Sequence, residues 1–213
     1  MHDRDRHLEP DRALGPAWRA AALGGLVGPA AFIGAWVIGG IVAGAPYSPA
    51  DDAISRLAAA GAETRPLMTA GFVLFGLGLP AYGVALRRVL PGAAWATAVA
   101  TGLATLGVAA TPLDRSAFVD QLHGVFAGLG YLTLAATPLL AVRPLRARGH
   151  RLLARLGLAA GVLSGTALLL TLTDGPTGAF QRLGLTVGDL WIMASAAAVV
   201  TGRLRRDLTA TGP

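Results

Sequence analysis

Asp120 and His123 are two side chains whose types and spacing suit proton chemistry. They lie three residues apart in the stretch DQLHGVFAGLGYL, so on a helix they would share one face. The carboxylate could then orient the imidazole, which would move a proton or bind a lipid headgroup. The alternative is that His123 only forms a hydrogen bond to a neighbouring helix.

Asp189 is an acidic residue in an unusual place, because it is the only charged residue in the apolar run 183–202. Ionisable residues inside a membrane are costly and usually face the interior of a helix bundle, where they have a partner. Arg182 is seven residues away and would pair with it poorly, so we expect His123 or a group on another helix as its partner. A neutral, hydrogen-bonded structural aspartate is the alternative.

Hydrolytic chemistry finds little support in the residue types present. The chain has no cysteine and four histidines, and only His123 lies with the other polar groups, whereas a zinc hydrolase needs about three protein ligands. Ser55 could join His123 and Asp120 in a nucleophilic arrangement, but it is not set in a nucleophile elbow. We therefore predict no catalytic residue, no metal ligand and no cofactor, although acidic residues alone could still hold calcium or magnesium weakly.

The elements that must position these groups are long uncharged segments. Of the 213 residues, 54% are hydrophobic and 14% are charged, against roughly 25% charged residues in soluble domains. A bilayer core about 30 Å thick takes roughly 20 apolar residues per helix, and only helices satisfy the backbone of such segments in lipid. Six runs have this character: 20–50, 66–86, 89–113, 121–142, 156–173 and 183–202.

These runs predict an all-α fold, a compact bundle of six transmembrane helices. The membrane domain would cover residues 18–206, between a disordered N-terminal tail over 1–17 and a C-terminal tail over 207–213. The helices are expected at about 18–43, 66–88, 91–111, 119–142, 151–173 and 181–203.

Glycines four residues apart recur in these helices, and in lipid such pairs let helix backbones approach closely. They indicate a tight bundle rather than a particular dimer, and the oligomeric state stays open. A shift of 60 residues also aligns Asp114 with Asp174 and Gln121 with Gln181, so helices 3–4 and 5–6 could be a duplication, which stays open too. The glycine sets are Gly24/Gly28, Gly124/Gly128, Gly157/Gly161/Gly165 and Gly184/Gly188.

The arginines divide unevenly between the two sides of the predicted bundle. All 18 basic residues are arginine, and the positive-inside rule places both termini in the cytoplasm. The lack of lysine and the abundance of alanine and glycine indicate a bacterial protein, so we expect the bacterial cytoplasmic membrane. The net charge of +6 follows from this sorting and predicts no nucleic-acid partner; membrane lipids are the expected partners. The outer side holds only Arg56, Arg65, Arg115 and Arg182.

The first outer loop, GAPYSPADDAISRLAAAGAETRP over 44–66, carries the signals of a short helix. Ser48 suits the N-cap position, and Asp51 would complete a capping box. Ile54 and Leu57 belong to an apolar stripe at helical spacing. We predict a short amphipathic helix on the outer membrane surface between helices 1 and 2. A capped connector with no further role is the alternative.

The outer side is also where polar groups other than arginine gather, at the ends of the helices. This outer polar cluster could bind a lipid headgroup or a small solute, or help to move it. Two other interpretations stay open, a structural or accessory subunit without its own site and a membrane-embedded lipid hydrolase. The candidate site residues are Ser48, Asp51, Asp52, Ser55, Asp114, Asp120, His123, Asp174, Gln181, Arg182 and Asp189.

Several stretches carry a family likeness. They are YSPADDAISRLAAAG after helix 1, RPLMTAGFVLFGLGLPAYGVALRR through helix 2, TPLD followed by DQLHGVFAGLGYL, and GAFQRLGLTVGDLWI at the start of helix 6. With them the chain resembles the six-helix membrane proteins of bacteria and archaea grouped as domain-of-unknown-function family 998. The resemblance implies one six-helix bundle and brings no activity, substrate or cofactor. The positions that match its motifs are Ser48, Pro49, Asp52, Ser55, His123, Gln181 and Arg182.

Overall fold

The computed structural model describes residues 15–204, which form six α-helices and one short 3-10 helix. The predicted tails over 1–17 and 207–213 lie outside the described residues, apart from positions 15–17. The helices are α1 (Pro16–Ala43), α2 (Arg65–Val89), α3 (Ala94–Ala110), α4 (Ala117–Ala147), α5 (Arg151–Leu170) and α6 (Thr177–Val200), and the 3-10 helix covers Ile54–Ala58.

Five of these helices, all except α3, are long and apolar enough to cross a membrane. α3 is apolar too, but it has 17 residues because a turn at Gly92 (φ 98°) delays its start. Large apolar side chains such as Ile41 (76% exposed) and Leu132 (69% exposed) cover the outside of the bundle. Exposed apolar surface on this scale belongs in contact with lipid. The chain is therefore a multi-pass membrane protein. Its all-helical structure confirms the predicted helical membrane bundle.

The helices form a closed ring. Each helix packs against the next one along the chain, and α1 also packs against α6. The loops after α1, α3 and α5 meet at one end, where backbone hydrogen bonds join Ala60 to Leu113 and Ala179 to Ala50, each at 2.8 Å. This end is called the cap end, and the opposite end, which holds most of the arginines, is called the arginine-rich end.

Two arginines of the arginine-rich end contact tryptophan rings. The guanidinium of Arg87 lies 4.6 Å from the centre of the Trp95 ring, and that of Arg88 lies 4.3 Å from Trp18. Such cation–π contacts are favourable, and tryptophan is common at the boundary between lipid and water. The two rings therefore mark where α1, α2 and α3 leave the lipid.

Glycines set how closely the helices approach. Gly24 in α1 lies against Gly78 in α2, where a Cβ atom added to Gly78 would be 2.6 Å from the Gly24 carbonyl oxygen. The glycine sets in α5 and α6 also face neighbouring helices, as predicted. Gly124 and Gly128 differ, because no atom lies within 4 Å of an added Cβ at either position. This pair therefore does not hold two helices of the bundle together.

Residues 47–58, here called the cap segment, differ from the predicted surface helix. The Asp51 backbone N–H donates to Ser48 Oγ at 3.3 Å, as in a capping box, and Ser48 Oγ donates to Asp51 Oδ2 at 2.6 Å, but these bonds close only one turn. The residue before the 3-10 helix is extended (ψ 146°) and interrupts the helical backbone. Ile54 and Leu57 are each 1% exposed, so the 3-10 helix is buried in the end of the bundle and does not lie on the membrane surface. The extended residue turns the apolar stripe inward.

Hydroxyl groups join α3 to α4. The Oγ1 atoms of Thr101 and Thr133 are 2.8 Å apart, and those of Thr97 and Thr137 are 2.9 Å apart. Threonine hydroxyls also bond to their own helix backbone, so they need no water inside an apolar bundle. These contacts position α3, the shortest helix, beside the middle of α4.

Candidate binding site

A cavity lies inside the bundle beneath the cap segment, between α1, α2, α3, α4 and α6. The centres of water molecules fit in about 50 Å³ of it, whereas one bound water needs roughly 10–15 Å³. The volume of the cavity is therefore larger than that of a packing defect that holds a single water molecule. Much of its wall is aromatic and comes from Phe32, Phe72, Phe75 and Phe126.

Polar side chains reach the cavity from several sides. Ser55 comes from the cap segment, His123 and Tyr131 from α4, and Gln181 from α6. Ser55, His123 and Gln181 were predicted as site residues, and the fold brings these three together. No arginine, aspartate or glutamate of the described part of the chain lines the cavity. An ionic group would lose its hydration there without gaining a counter-charge.

The imidazole of His123 is held by a backbone carbonyl. Its Nδ1 atom lies 2.6 Å from the Thr111 oxygen. Because a carbonyl oxygen can only accept, Nδ1 carries the proton, and in the neutral ring Nε2 is left with a lone pair. Nε2 has no hydrogen-bond partner among residues 15–204. The Asp120 carboxylate, predicted to orient this ring, instead accepts from the Asp114 backbone N–H at 3.0 Å.

Gln181 connects α6 to both the cap segment and α4. Its Oε1 atom accepts from the Ile54 backbone N–H at 2.6 Å, which identifies the oxygen of the amide because an N–H can only donate. Its Nε2 atom donates to the Tyr131 hydroxyl. The buried Gln181 side chain therefore holds both the cap segment, which covers the cavity, and Tyr131 in the α4 wall.

Arg182 holds the cap segment from outside the cavity. Its Nη1 atom donates to the carbonyl oxygens of Pro49 at 2.6 Å and Asp52 at 3.0 Å, and also to Gly178 in its own helix at 2.9 Å. Its Nη2 atom donates to the Tyr47 hydroxyl. Both Nη atoms are thus bonded to the protein's own acceptors, whereas Nε is buried without a partner among residues 15–204. Burial raises the pKa of the Tyr47 phenol, and the neighbouring Arg182 partly offsets that rise.

Ser48, Asp51 and Asp52 bond to one another within the cap segment. Besides the Ser48–Asp51 contact, the Ser48 backbone N–H donates to Asp52 Oδ2 at 2.7 Å. These three predicted site residues do not line the cavity. They shape the turn that leads into the 3-10 helix.

The acidic residues of the other two cap-end loops are also outside the cavity. Asp114 forms an ion pair with Arg56 at 2.9 Å, and both side chains are 51% exposed. Asp120 accepts from the backbone of Asp114, and Asp174 is exposed in the loop between α5 and α6. Of the predicted outer polar cluster, only Ser55, His123 and Gln181 therefore line the cavity, and the other members lie in loops or on helices outside it.

Asp189 is fully buried in α6, at 0% exposure. Neither of its carboxylate oxygens has a hydrogen-bond partner within residues 15–204. The expected partner His123 bonds to Thr111 instead, and Arg182, which was predicted to pair poorly with Asp189, donates to the cap segment. It does not line the cavity, although Leu185, one helical turn earlier, does.

The aromatic wall was missed by the sequence reasoning. The four phenylalanines lie in apolar runs, where nothing local distinguishes a cavity wall from a lipid-facing side chain. Tyr131 carried a weak signal, because a hydroxyl inside an apolar run needs a partner. Of the residues described, no group of three His, Asp or Glu side chains could hold a metal ion.

Comparison with known proteins gives one finding. The model of the family described as "Protein of unknown function (DUF998)" matches residues 26–198, which cover all six helices apart from the first ten residues of α1 and the last two of α6. No curated protein and no solved structure matches the chain.

Proposed function

Since the chain belongs to the DUF998 family, which has no assigned function, we propose from the geometry of its own cavity that it binds a lipid or a small solute. The bound part is a neutral polar group, held in the cavity beneath the cap segment. The observation that carries this proposal is an uncharged aromatic cavity to which Ser55, His123 and Gln181 contribute from three separate parts of the chain.

His123 sets the kind of group that fits. Because Nδ1 donates to Thr111, Nε2 is an acceptor, and a ligand bound to it has to offer an O–H or N–H group. The Ser55 hydroxyl has no hydrogen-bond partner among residues 15–204, so it can complete the recognition as donor or acceptor. The aromatic wall suits hydrocarbon next to that polar group.

The size of the cavity limits what enters. Sites for drug-sized ligands have volumes of about 300–1,000 Å³, whereas the water-centre volume here is about 50 Å³. A small group such as a hydroxyl with its adjoining carbons is accommodated without rearrangement. A sugar or a phosphate headgroup is too large, and a phosphate would also lack a counter-charge.

The cap segment encloses this group on the side of the loops. Ile54 is held by Gln181, and the turn before it is held by Arg182 through Pro49 and Asp52. All these bonds join the cap segment to α6. Release of α6 contacts would therefore uncover the cavity at the cap end.

Photoaffinity labelling tests the proposal. The purified protein is irradiated with a short-chain alcohol that carries a diazirine, and the labelled residues are mapped by mass spectrometry. We expect labels on the cavity wall, competed by unlabelled butanol. His123→Phe, which fills the cavity and removes the acceptor, should abolish them. His150→Phe is the matched control, because His150 lies at the arginine-rich end, at the N-cap position of α5, and its side chain makes no capping hydrogen bond.

Two results would count against the binding role. One is labelling that persists in a folded His123→Phe protein. A second variant, Ala127→Leu, fills the cavity without touching a hydrogen bond, and it should give the same loss of labelling. The other is labelling spread evenly over lipid-facing residues, which would favour the accessory-subunit interpretation.

The uneven distribution of arginines supports a proposal for sidedness. The cap end faces away from the cytoplasm of a bacterial cell, and both chain ends face the cytoplasm. The chain has no cysteine, so single cysteines report on it directly. Glu63→Cys at the cap end should react with an impermeant thiol reagent in intact cells, and Arg146→Cys should react only after lysis. The reverse pattern would overturn this orientation.

A further inference from the structure

A second hollow, here called the side groove, lies between α4 and α5 near the cap end. Its volume is about 230 Å³, counted as the space open to the centres of water molecules. Its walls are hydrocarbon, and it opens to the surrounding lipid between Leu132 (69% exposed) and Leu169 (68% exposed). Its floor is made of small residues, Gly128, Ala135 and Gly165.

The groove exists because α4 and α5 diverge toward the cap end. At Gly161 an added Cβ would lie 2.9 Å from the Ala135 carbonyl oxygen, so the backbones touch there. One turn further along α5, at Gly165, the nearest atom is 3.6 Å away, and at Gly128 across the groove no atom lies within 4 Å. The resulting slot lies between two helices and has room for one hydrocarbon chain.

Tyr131 belongs to the walls of both the side groove and the cavity. Among residues 15–204 it is the one residue common to the two linings, so its ring lies where the two hollows come together. Its hydroxyl accepts a hydrogen bond from Gln181, which holds the ring in place. Rotation of this ring would join the polar cavity to the apolar groove.

We propose that the ligand is a neutral single-chain amphiphile, a long-chain alcohol, which enters sideways from the lipid through the α4–α5 groove. This inference rests on the proposed function. The hydroxyl donates to His123 Nε2, the chain leaves past Tyr131, and its remainder lies in the side groove. His123 and Tyr131 are eight residues apart on α4, roughly 12 Å along the helix, so only a long chain reaches from one hollow to the other.

The chemistry of the two hollows argues against two lipid classes, phospholipids and lipids whose polar end only accepts hydrogen bonds. A phospholipid brings a charge and two chains, whereas the cavity lining is uncharged and the groove is a single slot. A lipid whose polar end only accepts hydrogen bonds leaves Nε2 of His123 without a donor. A long-chain alcohol is uncharged, has a single chain and offers a hydrogen-bond donor to Nε2.

The test compares a long alcohol with a short one. Photoreactive hexadecanol labels the wild-type protein in both hollows, and photoreactive butanol labels only the cavity. Gly128→Leu and Gly165→Leu fill the side groove, so the hydrocarbon chain loses buried surface and hexadecanol binding should weaken roughly tenfold or more, while butanol labelling of the cavity stays unchanged. Gly34→Leu is the matched control, because no atom lies within 4 Å of an added Cβ there either.

The hydrogen bond and the role of Tyr131 have their own readouts. Hexadecyl methyl ether, which has the same chain without a donor, should compete roughly tenfold more weakly than hexadecanol. Tyr131→Phe removes the bond to Gln181 that holds the ring, and it should raise the association rate of hexadecanol relative to that of butanol.

The outcomes separate the two proposals. Unchanged hexadecanol labelling in both groove variants, with the cavity still labelled by butanol, overturns the side groove and leaves the proposed function standing. Failure of both alcohols to label the cavity of the wild-type protein overturns the proposed function and this inference together. Equal competition by the ether overturns the assignment of an alcohol.

Discussion

Replacement of Arg182 by alanine is expected to release the cap segment without unfolding the bundle. The guanidinium donates to Pro49, Asp52 and Tyr47, and all three lie in the cap segment. Nothing else in α6 takes over these bonds when the side chain is removed. The helices themselves keep their packing, so the helical content measured by circular dichroism should not change.

The magnitude follows from the number and type of the bonds. A hydrogen bond to a charged group is worth about 1.5–3 kcal/mol. Nη1 has two hydrogens for three carbonyl acceptors, so only two of its bonds count in full. Water replaces part of the loss because Arg182 is half-buried. We therefore expect the opening free energy of the cap segment to fall by about 3 kcal/mol.

Hydrogen exchange of two backbone amides measures this opening. The Ile54 N–H is bonded to Gln181, and the Ala179 N–H is bonded to the Ala50 carbonyl. A fall of about 3 kcal/mol makes both amides exchange roughly 100-fold faster in Arg182→Ala. Arg182→Lys keeps the charge but not the planar fork, so its effect should be intermediate.

Arg56→Ala is the matched control for Arg182→Ala. Arg56 is also an arginine of the cap end, but its ion pair with Asp114 is 51% exposed on both sides. Exposed ion pairs are worth about 0–1 kcal/mol, so exchange at Ile54 should accelerate by less than about fivefold. Equal acceleration in the two variants would refute the argument that Arg182 holds the cap segment.

Three further predictions concern packing, burial and pH. Gly78→Leu should destabilise the protein by about 3 kcal/mol or prevent folding, because the Gly24 carbonyl occupies the space, and Gly34→Leu should melt like the wild type. Asp189→Leu should keep or raise the melting temperature, because it removes a buried carboxylate without a partner. A fall of more than about 2 kcal/mol in the free energy of unfolding would instead reveal a contact that stabilises the carboxylate. Burial raises the pKa of Tyr47, so its contribution to stability is complete below about pH 10 and is lost as the pH rises through the folded-state pKa. Above about pH 10 the melting temperature should therefore depend less on pH in Tyr47→Phe.

The helices were predictable because their signals are local. A helix needs an unbroken apolar run to cross lipid, and each of the six helices falls within or close to such a run. The bond from the Asp51 backbone N–H to Ser48 Oγ was predictable for the same reason, because its two partners are three residues apart. The internal duplication and the sidedness of the membrane stay predictions.

The extent of the cap helix was less predictable. The capping signals at Ser48 favour a helix from there onward, but the burial of Ile54 and Leu57 depends on a space that α1, α2 and α6 create together. Ile54 and Leu57 are buried more completely between these helices than they would be on the membrane surface. The backbone therefore breaks after one turn and resumes as a 3-10 helix.

Composition and spacing by themselves determined that this is a membrane protein, where its six helices lie and at which end its polar loops gather. Only the tertiary structure decided which polar residues meet. Gln181 bonds to Ile54 across 127 positions of the chain, and Arg182 bonds to Pro49 across 133. Periodicity reports on neighbours three or four residues apart. Contacts between distant segments depend on how the helices pack, and at Gly161 and Gly165, one turn apart, the nearest atom to an added Cβ lies at 2.4 Å and 3.6 Å.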